Sequence, residues 1–376
     1  MSTQLDILAL EPYYGGARRA MLETLIRCSR HRWTVLKLPP RRMERRLAAA
    51  AHWFGEQLSL HWVGRVDLLL VSDAINLGDL YRLVPALSGK PSVAYFHTNF
   101  MPAAGTIDES DPDMAAAAAA VIANLSTAAA ANELWFNSIF HHKSFLQRAT
   151  TFLQRHSQTF ARSPLNDLAK KTRVMVPPTD LHLAEHAHQA QPTGHDQKTF
   201  FIDTREADCQ LISDGLLELQ LSTDDFKLLA VGPTGGFSKR LTVEPVADDE
   251  SSVMRAMLRS AVAISGRREP TWDLAMLTAL AAGCWPVAPA GGVYTELIPK
   301  PLSERCLFEG TPEGLAATIQ DFWELQLPDG HAEQIRNSLK RFNPITASKA
   351  MDERFSELAA IGVSHGPRTS VELPGR

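Results

Sequence analysis

The chain has 376 residues, of which 45% are hydrophobic, enough for two packed cores and more than one ordinary domain holds. A net charge of −4 and a pI near 6.4 exclude bulk electrostatic binding of nucleic acid but leave room for a local basic patch. No apolar run reaches the length of a membrane span, and Cys28, Cys209, Cys284 and Cys306 form no C-x-x-C pair, so no metal site, disulfide framework or membrane partner is expected.

The chain opens on an apolar strand, Asp6–Leu10, followed by Glu11-Pro12-Tyr13-Tyr14-Gly15-Gly16 and a helix from about Arg18 to Ser29. Two glycines let the backbone take positive φ and approach a ligand. A helix N-terminus behind them is a natural phosphate seat. The same turn serves equally well as a tight strand-to-helix connection with no ligand. The start has no basic-then-apolar leader, so a cytoplasmic protein with reduced, buried thiols is expected.

A second strand is expected at Trp33–Leu38. After it come Arg41, Arg42, Arg45 and Arg46, four arginines in six residues. Arginine forks match phosphate geometry, so this patch suits RNA or nucleotide phosphates; its plain alternative is a solvated helix start. Further strands are expected at Asp67–Ser72, Ser92–His97, Glu133–Asn137 and Arg173–Val176. Their C-terminal ends place Asp73, His97, Asn99 and Asn137 on one polar rim. His97 suits a sugar hydroxyl or a phosphate; His141-His142 lack a third convergent ligand for a metal. The Ala115–Ala131 stretch reads as a helix packed closely on a sheet.

A segment over Leu183–Lys198, rich in His, Gln, Ala, Pro and Gly, reads as a linker. Strands are then expected at Thr199–Asp203, Lys227–Val231, Ala261–Ser265, Trp285–Ala288 and weakly at Cys306–Phe308. A helix over Trp272–Ala282 ends on a Gly283 cap, and the loop to Gly291-Gly292 and Glu296 faces a ligand position. Apolar strands alternating with helices mean α/β domains with parallel sheets covered on both faces. The expected division is 1–182, a linker over 183–198, 199–362 and a disordered tail over 363–376. Ligands would sit at the C-terminal strand ends, in a cleft between domains.

The opening I-L-A-L-E-P-Y-Y-G-G, His31-Arg32-Trp33-Thr34, Ser72-Asp73, Tyr95-Phe96-His97, Leu134-Trp135-Phe136-Asn137-Ser138 and Val176-Pro177-Pro178 together resemble the tRNA-queuosine α-mannosyltransferase family over roughly residues 6–182. The second half, through Ala275–Pro289, resembles the C-terminal domain of retaining GT-B glycosyltransferases. The resemblance implies a GT-B fold of two Rossmann-like domains, GDP-mannose as donor, no metal cofactor, and queuosine in the anticodon of tRNA(Asp) as acceptor. It implies His97 near the reacting carbon, and Gly15, Gly16, Gly291, Gly292 and Glu296 near the donor. Arg18, Arg205 and Lys239 are candidates for the donor phosphates. Arg41, Arg42, Arg45, Arg46, Asp73, Asn99 and Asn137 fall on the acceptor side.

The chain departs from the family pattern at several positions. Ala17 and Arg18 stand where the family has serine and histidine, and Thr98 where glutamate follows the histidine. Thr204 and Cys209 stand at a phosphate-binding arginine and lysine. Pro270 and Thr278 stand at two donor-binding glutamates. Val231–Ala261 looks too short for the usual strand and helix. Three alternatives stay open: an active tRNA glycosyltransferase, a catalytically degenerate binding module, or a transferase with another donor or acceptor. Nothing in the sequence sets an oligomeric state.

Overall fold

A computed structural model of the chain describes residues 3–58, 63–102, 112–155, 168–182, 184–185, 196–324 and 331–364. It divides into two units, residues 1–179 with 344–376, and residues 180–343.

The first unit alternates β1 (Asp6–Glu11), α1 (Gly16–Cys28), β2 (Arg32–Lys37), α2 (Met43–Gln57), β3 (Leu68–Ser72), α3 (Leu77–Leu83), β4 (Ser92–Phe96), α4 (Pro112–Ala130), β5 (Glu133–Phe136), α5 (Ile139–Arg155) and β6 (Thr172–Val174). The six strands form one parallel sheet in the order β2-β1-β3-β4-β5-β6. Successive side chains alternate faces, which divides the core in two. Leu8, Leu10, Leu69, Val71, Phe96 and Phe136 pack under α2–α5. Ile7, Leu68, Leu70, Val93, Tyr95 and Trp135 face α1 and the last helix, α13 (Pro344–Ser364).

The helix α13 is bound to this sheet by polar as well as apolar contacts. Phe355 stacks on Trp135 with ring centres 4.8 Å apart. Asp352 accepts from Ser29 Oγ at 2.6 Å and Arg30 N at 2.8 Å. Arg354 pairs with Glu133. His31 Nδ1 accepts from Leu5 N at 3.2 Å, so the Nε2 at 3.2 Å from the Asp352 carbonyl carries the proton.

The second unit runs β7 (Asp196–Asp203), α6 (Cys209–Gln220), β8 (Lys227–Val231), β9 (Val243–Val246), α7 (Glu250–Arg259), β10 (Ser260–Ile264), α8 (Leu274–Ala281), β11 (Trp285–Pro289), the short helices α9 (Tyr294–Leu297) and α10 (Lys300–Cys306), β12 (Leu307–Phe308), α11 (Pro312–Glu324) and α12 (His331–Leu339). Its parallel strands order as β12-β11-β10-β7-β8-β9.

Three expectations need correction. The strand and helix thought absent between Val231 and Ala261 are present as β9 and α7. The sequence V-E-P-V makes a half-exposed edge strand, where proline is tolerated, and so it lacks a buried strand's apolar run. Residues 344–362 belong with the first unit rather than the second, because the Asp352, Arg354 and Phe355 contacts hold them there. Of the four free thiols only Cys284 and Cys306 are buried. The linker's residues 186–195 and the tail from residue 365 lie outside the described residues.

Candidate functional site

A parallel sheet opens a crevice where its strand order reverses, at the carboxyl ends of the two strands that diverge there. In the first unit this point lies between β1 and β3, and in the second between β7 and β10. Each carries a small cavity.

At the first switch point the cavity is lined by Glu11, Arg18, Ser72, Tyr95 and His97 among others. Arg18 leaves the first turn of α1 and is only 5% exposed. Asp73 clasps it with both carboxylate oxygens, Nη2 lying 3.0 Å from Oδ2, and Nη2 also meets Thr98 Oγ1 at 3.2 Å. Asp73 is further fixed by accepting from Thr98 N at 2.9 Å. The guanidinium is thus already paired, a cation held in the crevice wall by Asp73.

Glu11, which ends the opening strand, belongs to this site although the sequence pattern does not single it out. Its Oε1 accepts from Tyr13 N at 2.8 Å and Ser72 Oγ at 3.2 Å, and lies 3.9 Å from Arg18 Nη1. Burial pushes its carboxyl up to about 7, against the pull of Arg18.

His97 is half-buried, its ring 4.7 Å from that of Tyr95. Burial, then Arg18 and the neighbouring His141, hold its pKa well below the usual imidazole value, so it is neutral at pH 7. A neutral imidazole offers one donor and one acceptor, suited to a hydroxyl. Asn137 buttresses it, donating Nδ2 to the His97 carbonyl at 3.1 Å while its Oδ1 sits 2.9 Å from His141 Nδ1. Asn99 donates to Ser144 Oγ at 3.2 Å and accepts from Met101 N at 3.0 Å. Both amides therefore organise the rim through bonds within the chain.

The two opening glycines differ in role. Gly15 caps α1 with extended backbone and lets Pro40 approach, since a Cβ there would lie 2.6 Å from the Pro40 ring. Gly16 has φ +52°, and a Cβ added there would meet nothing within 4 Å. The first turn of α1 has no acidic residue and no side-chain cap. Beside it, Lys37 Nζ lies 4.0 Å above the Tyr14 ring. Arg41 and Arg42 are exposed, and among the described residues no carboxylate pairs with either. Arg42 caps α2 in the left-handed region, φ 51°. Arg46 is half-buried, and the Arg45 side chain lies outside those described.

At the second switch point the cavity is lined by Asp203, Ser265, Arg267, Asp273 and Met276 among others. Asp273 caps α8 by accepting from Met276 N at 2.9 Å, and Tyr294 donates to its Oδ2 at 2.7 Å. Ser265 Oγ hydrogen-bonds the same Tyr294 hydroxyl. The helix end that would receive an anion is filled by the chain's own carboxylate. The Asp-Leu pair opening this helix is a readable cap signal.

Arg205 is clasped by Asp203 at 2.6 and 2.9 Å and by Asp248 at 2.9 Å. Lys239 is exposed on the loop after β8 and does not line the cavity. Gly292 has φ +58°, and a Cβ there would meet Pro270 at 2.6 Å. Gly291 shares this turn, with its N–H 2.8 Å from the Pro289 carbonyl. Glu296 is half-buried, and its carbonyl accepts from Arg341. Neither Gly291, Gly292 nor Glu296 lines the cavity. Among the described residues no three His, Cys, Asp or Glu side chains converge as metal ligands, and no helix is long and apolar enough to cross a membrane.

Residues 6–179 match the family model described as tRNA-queuosine alpha-mannosyltransferase N-terminal. The Drosophila melanogaster tRNA-queuosine alpha-mannosyltransferase is 23% identical over 316 residues, covering 78% of this chain and 82% of that protein. Among solved structures, Anabaena Alr3699/HepE in complex with UDP-glucose superposes with a TM-score of 0.64 at 15% identity, over 94% of this chain and 100% of that one. The sucrose-phosphate synthase of Thermosynechococcus elongatus gives 0.64 at 13% identity, over 95% and 100%. The fold is therefore α/β and GT-B-like, built of two Rossmann-like units.

Proposed function

We propose, from the match of residues 6–179 to the tRNA-queuosine alpha-mannosyltransferase N-terminal family model, that the chain is a glycosyltransferase moving a sugar from a nucleotide-sugar to queuosine in tRNA. Mannose from GDP-mannose, the anticodon of tRNA(Asp) as acceptor, a retaining course and a cytoplasmic setting follow from the family it resembles. The observation that carries the reading is the first switch point. There Glu11, Arg18 and Asp73 form one buried network at the strand ends of the domain that matches the family model, and the half-buried His97 lines the same cavity.

In this reading the neutral His97 holds a sugar hydroxyl, and the network fixes its orientation. The exposed Arg41 and Arg42, with Lys37 on Tyr14, supply the positive face for RNA phosphates. Negative charge develops on the leaving diphosphate, so cations and helix ends matter most for the rate. No step calls for a resident metal or cofactor, and no nucleophile is assigned.

A second reading, a degenerate binding protein, is favoured by two observations: Asp273 fills the N-terminus of α8, and Asp203 engages Arg205. Incubating the protein with labelled GDP-mannose and queuosine-containing tRNA separates the two. Label transferred to tRNA, and lost with His97→Ala, supports the enzyme. Retention of tRNA binding with no transfer from any nucleotide-sugar supports the binding protein.

A further inference from the structure

The second switch point holds one cation that the residue pattern alone does not single out. Arg267 follows β10 and lines the cavity, with a side chain 16% exposed. The charged groups around it are already engaged. Asp203 and Asp248 hold Arg205. Asp208 holds Arg268 through two hydrogen bonds, at 2.8 and 3.0 Å. The Asp273 carboxylate is occupied by the Met276 N–H and the Tyr294 hydroxyl.

Arg267 is different. Its ion pair is a single contact from Nη1 to Glu206 Oε2 at 3.2 Å, and the Glu206 side chain is 73% exposed. A surface carboxylate held by one contact is weakly bound. A phosphate group offers more oxygens and matches the guanidinium fork in two places. The position, at the carboxyl end of the strand beside the reversal of strand order, is where doubly wound sheets receive ligands.

We propose that Arg267 is the second unit's phosphate-binding cation, taking the diphosphate of a nucleotide ligand in exchange for Glu206. This rests on the glycosyltransferase reading above. It assigns to Arg267 the role that Thr204 and Cys209 cannot fill and that Arg205, being clasped, does not.

The test is calorimetric titration of the full chain with GDP and with guanosine, for wild type, Arg267→Gln and Glu206→Gln. Arg267→Gln should weaken GDP about tenfold or more and leave guanosine unchanged, since a charge-assisted phosphate contact is lost and nothing else. Glu206→Gln should tighten GDP by about two- to fivefold, because the competing carboxylate is gone. A structural role for Arg267 would not produce these opposite signs. Equal GDP affinity in Arg267→Gln, or weaker GDP binding in Glu206→Gln, overturns the assignment. Should Arg267→Gln fail to fold, the exposed Glu206 position still decides it by its sign. Wild type that binds neither GDP nor GDP-mannose brings down the donor reading and this one together; wild type that binds GDP alongside an unaffected Arg267→Gln brings down this one alone.

Discussion

The two switch points share a sheet architecture and differ in what fills them. In the first, the leading helix α1 starts on Gly15 with no side-chain cap and no acid in its first turn, and the space around Gly16 is open. In the second, α8 starts on Asp273, and the space around Gly292 is occupied by Pro270. One crevice has its cation locked inside and its helix end free. The other has its helix end sealed and one cation, Arg267, on an exchangeable partner. Identical topology therefore does not settle where an anion goes; the capping residue and the partner of the nearest arginine do.

The contrast breaks most visibly at the clasp. Asp73→Ala leaves the Arg18 guanidinium buried without its partner and should cost about 3–5 kcal/mol in urea unfolding. Replacing both, Arg18→Met with Asp73→Leu, should cost clearly less than the single change, because no orphaned charge remains. A single mutant within about 1 kcal/mol of wild type would mean that the pair is not desolvated as described.

The next effect sets the two left-handed glycines against each other. Gly292→Ala drives a Cβ into Pro270 ring and backbone atoms 2.6–2.9 Å away, besides straining φ, and should cost more than about 2 kcal/mol. Gly16→Ala meets nothing and should cost only the backbone strain, about 1 kcal/mol. Thermal melts of the two variants side by side test whether one crevice is open and the other packed.

A third experiment reads the first crevice through pH. Glu11 ionises near 7 in the fold against 4.5 for an ordinary glutamate, so the folded chain holds the proton more tightly. Stability from this group is complete below about pH 4.5 and is lost as pH rises through about 7. Glu11→Gln removes that loss, and should be more stable than wild type by about 1–3 kcal/mol at pH 8, with the gap closing by pH 5. His97 and His141 act with the opposite sign. Their folded pKa values are depressed, that of His141 to about 3, so both destabilise the fold as pH falls below 6.5. The difference between Glu11→Gln and wild type isolates the carboxyl from them, and a pH-independent difference would refute the buried assignment.

Much of the fold is legible in the residues, and for a reason. The strands β1, β3, β4 and β8 are short apolar runs bounded by turn residues, and β8 falls on Lys227–Val231 as expected. The edge strand β9 is not legible, because a half-exposed V-E-P-V carries no such run. The allegiance of α13 is not legible either: an amphipathic helix shows its apolar face without naming the sheet that covers it. Asp73, His97 and Asn137 stand just past the ends of β3, β4 and β5, where their places in the sequence put them. What they do there depends on partners far along the chain. Arg18 and Asp73 are 55 residues apart, and only the folded sheet brings them together. Charge alone points to Arg205 for a phosphate, whereas Asp203 and Asp248 have already taken it.

The return of α13 to the first sheet makes the second unit a guest within the first. The chain leaves the host after residue 179 and re-enters it at 344, so the host's sheet lacks one wall until the guest has been made. Trp135 and Glu133 wait for Phe355 and Arg354, more than 200 residues later in synthesis. During translation the first core therefore keeps an aromatic face uncovered while residues 180–343 are made. A shortened chain ending near residue 343 should harm the host, whose residues it leaves untouched up to 179, more than the guest at its own C-terminal border.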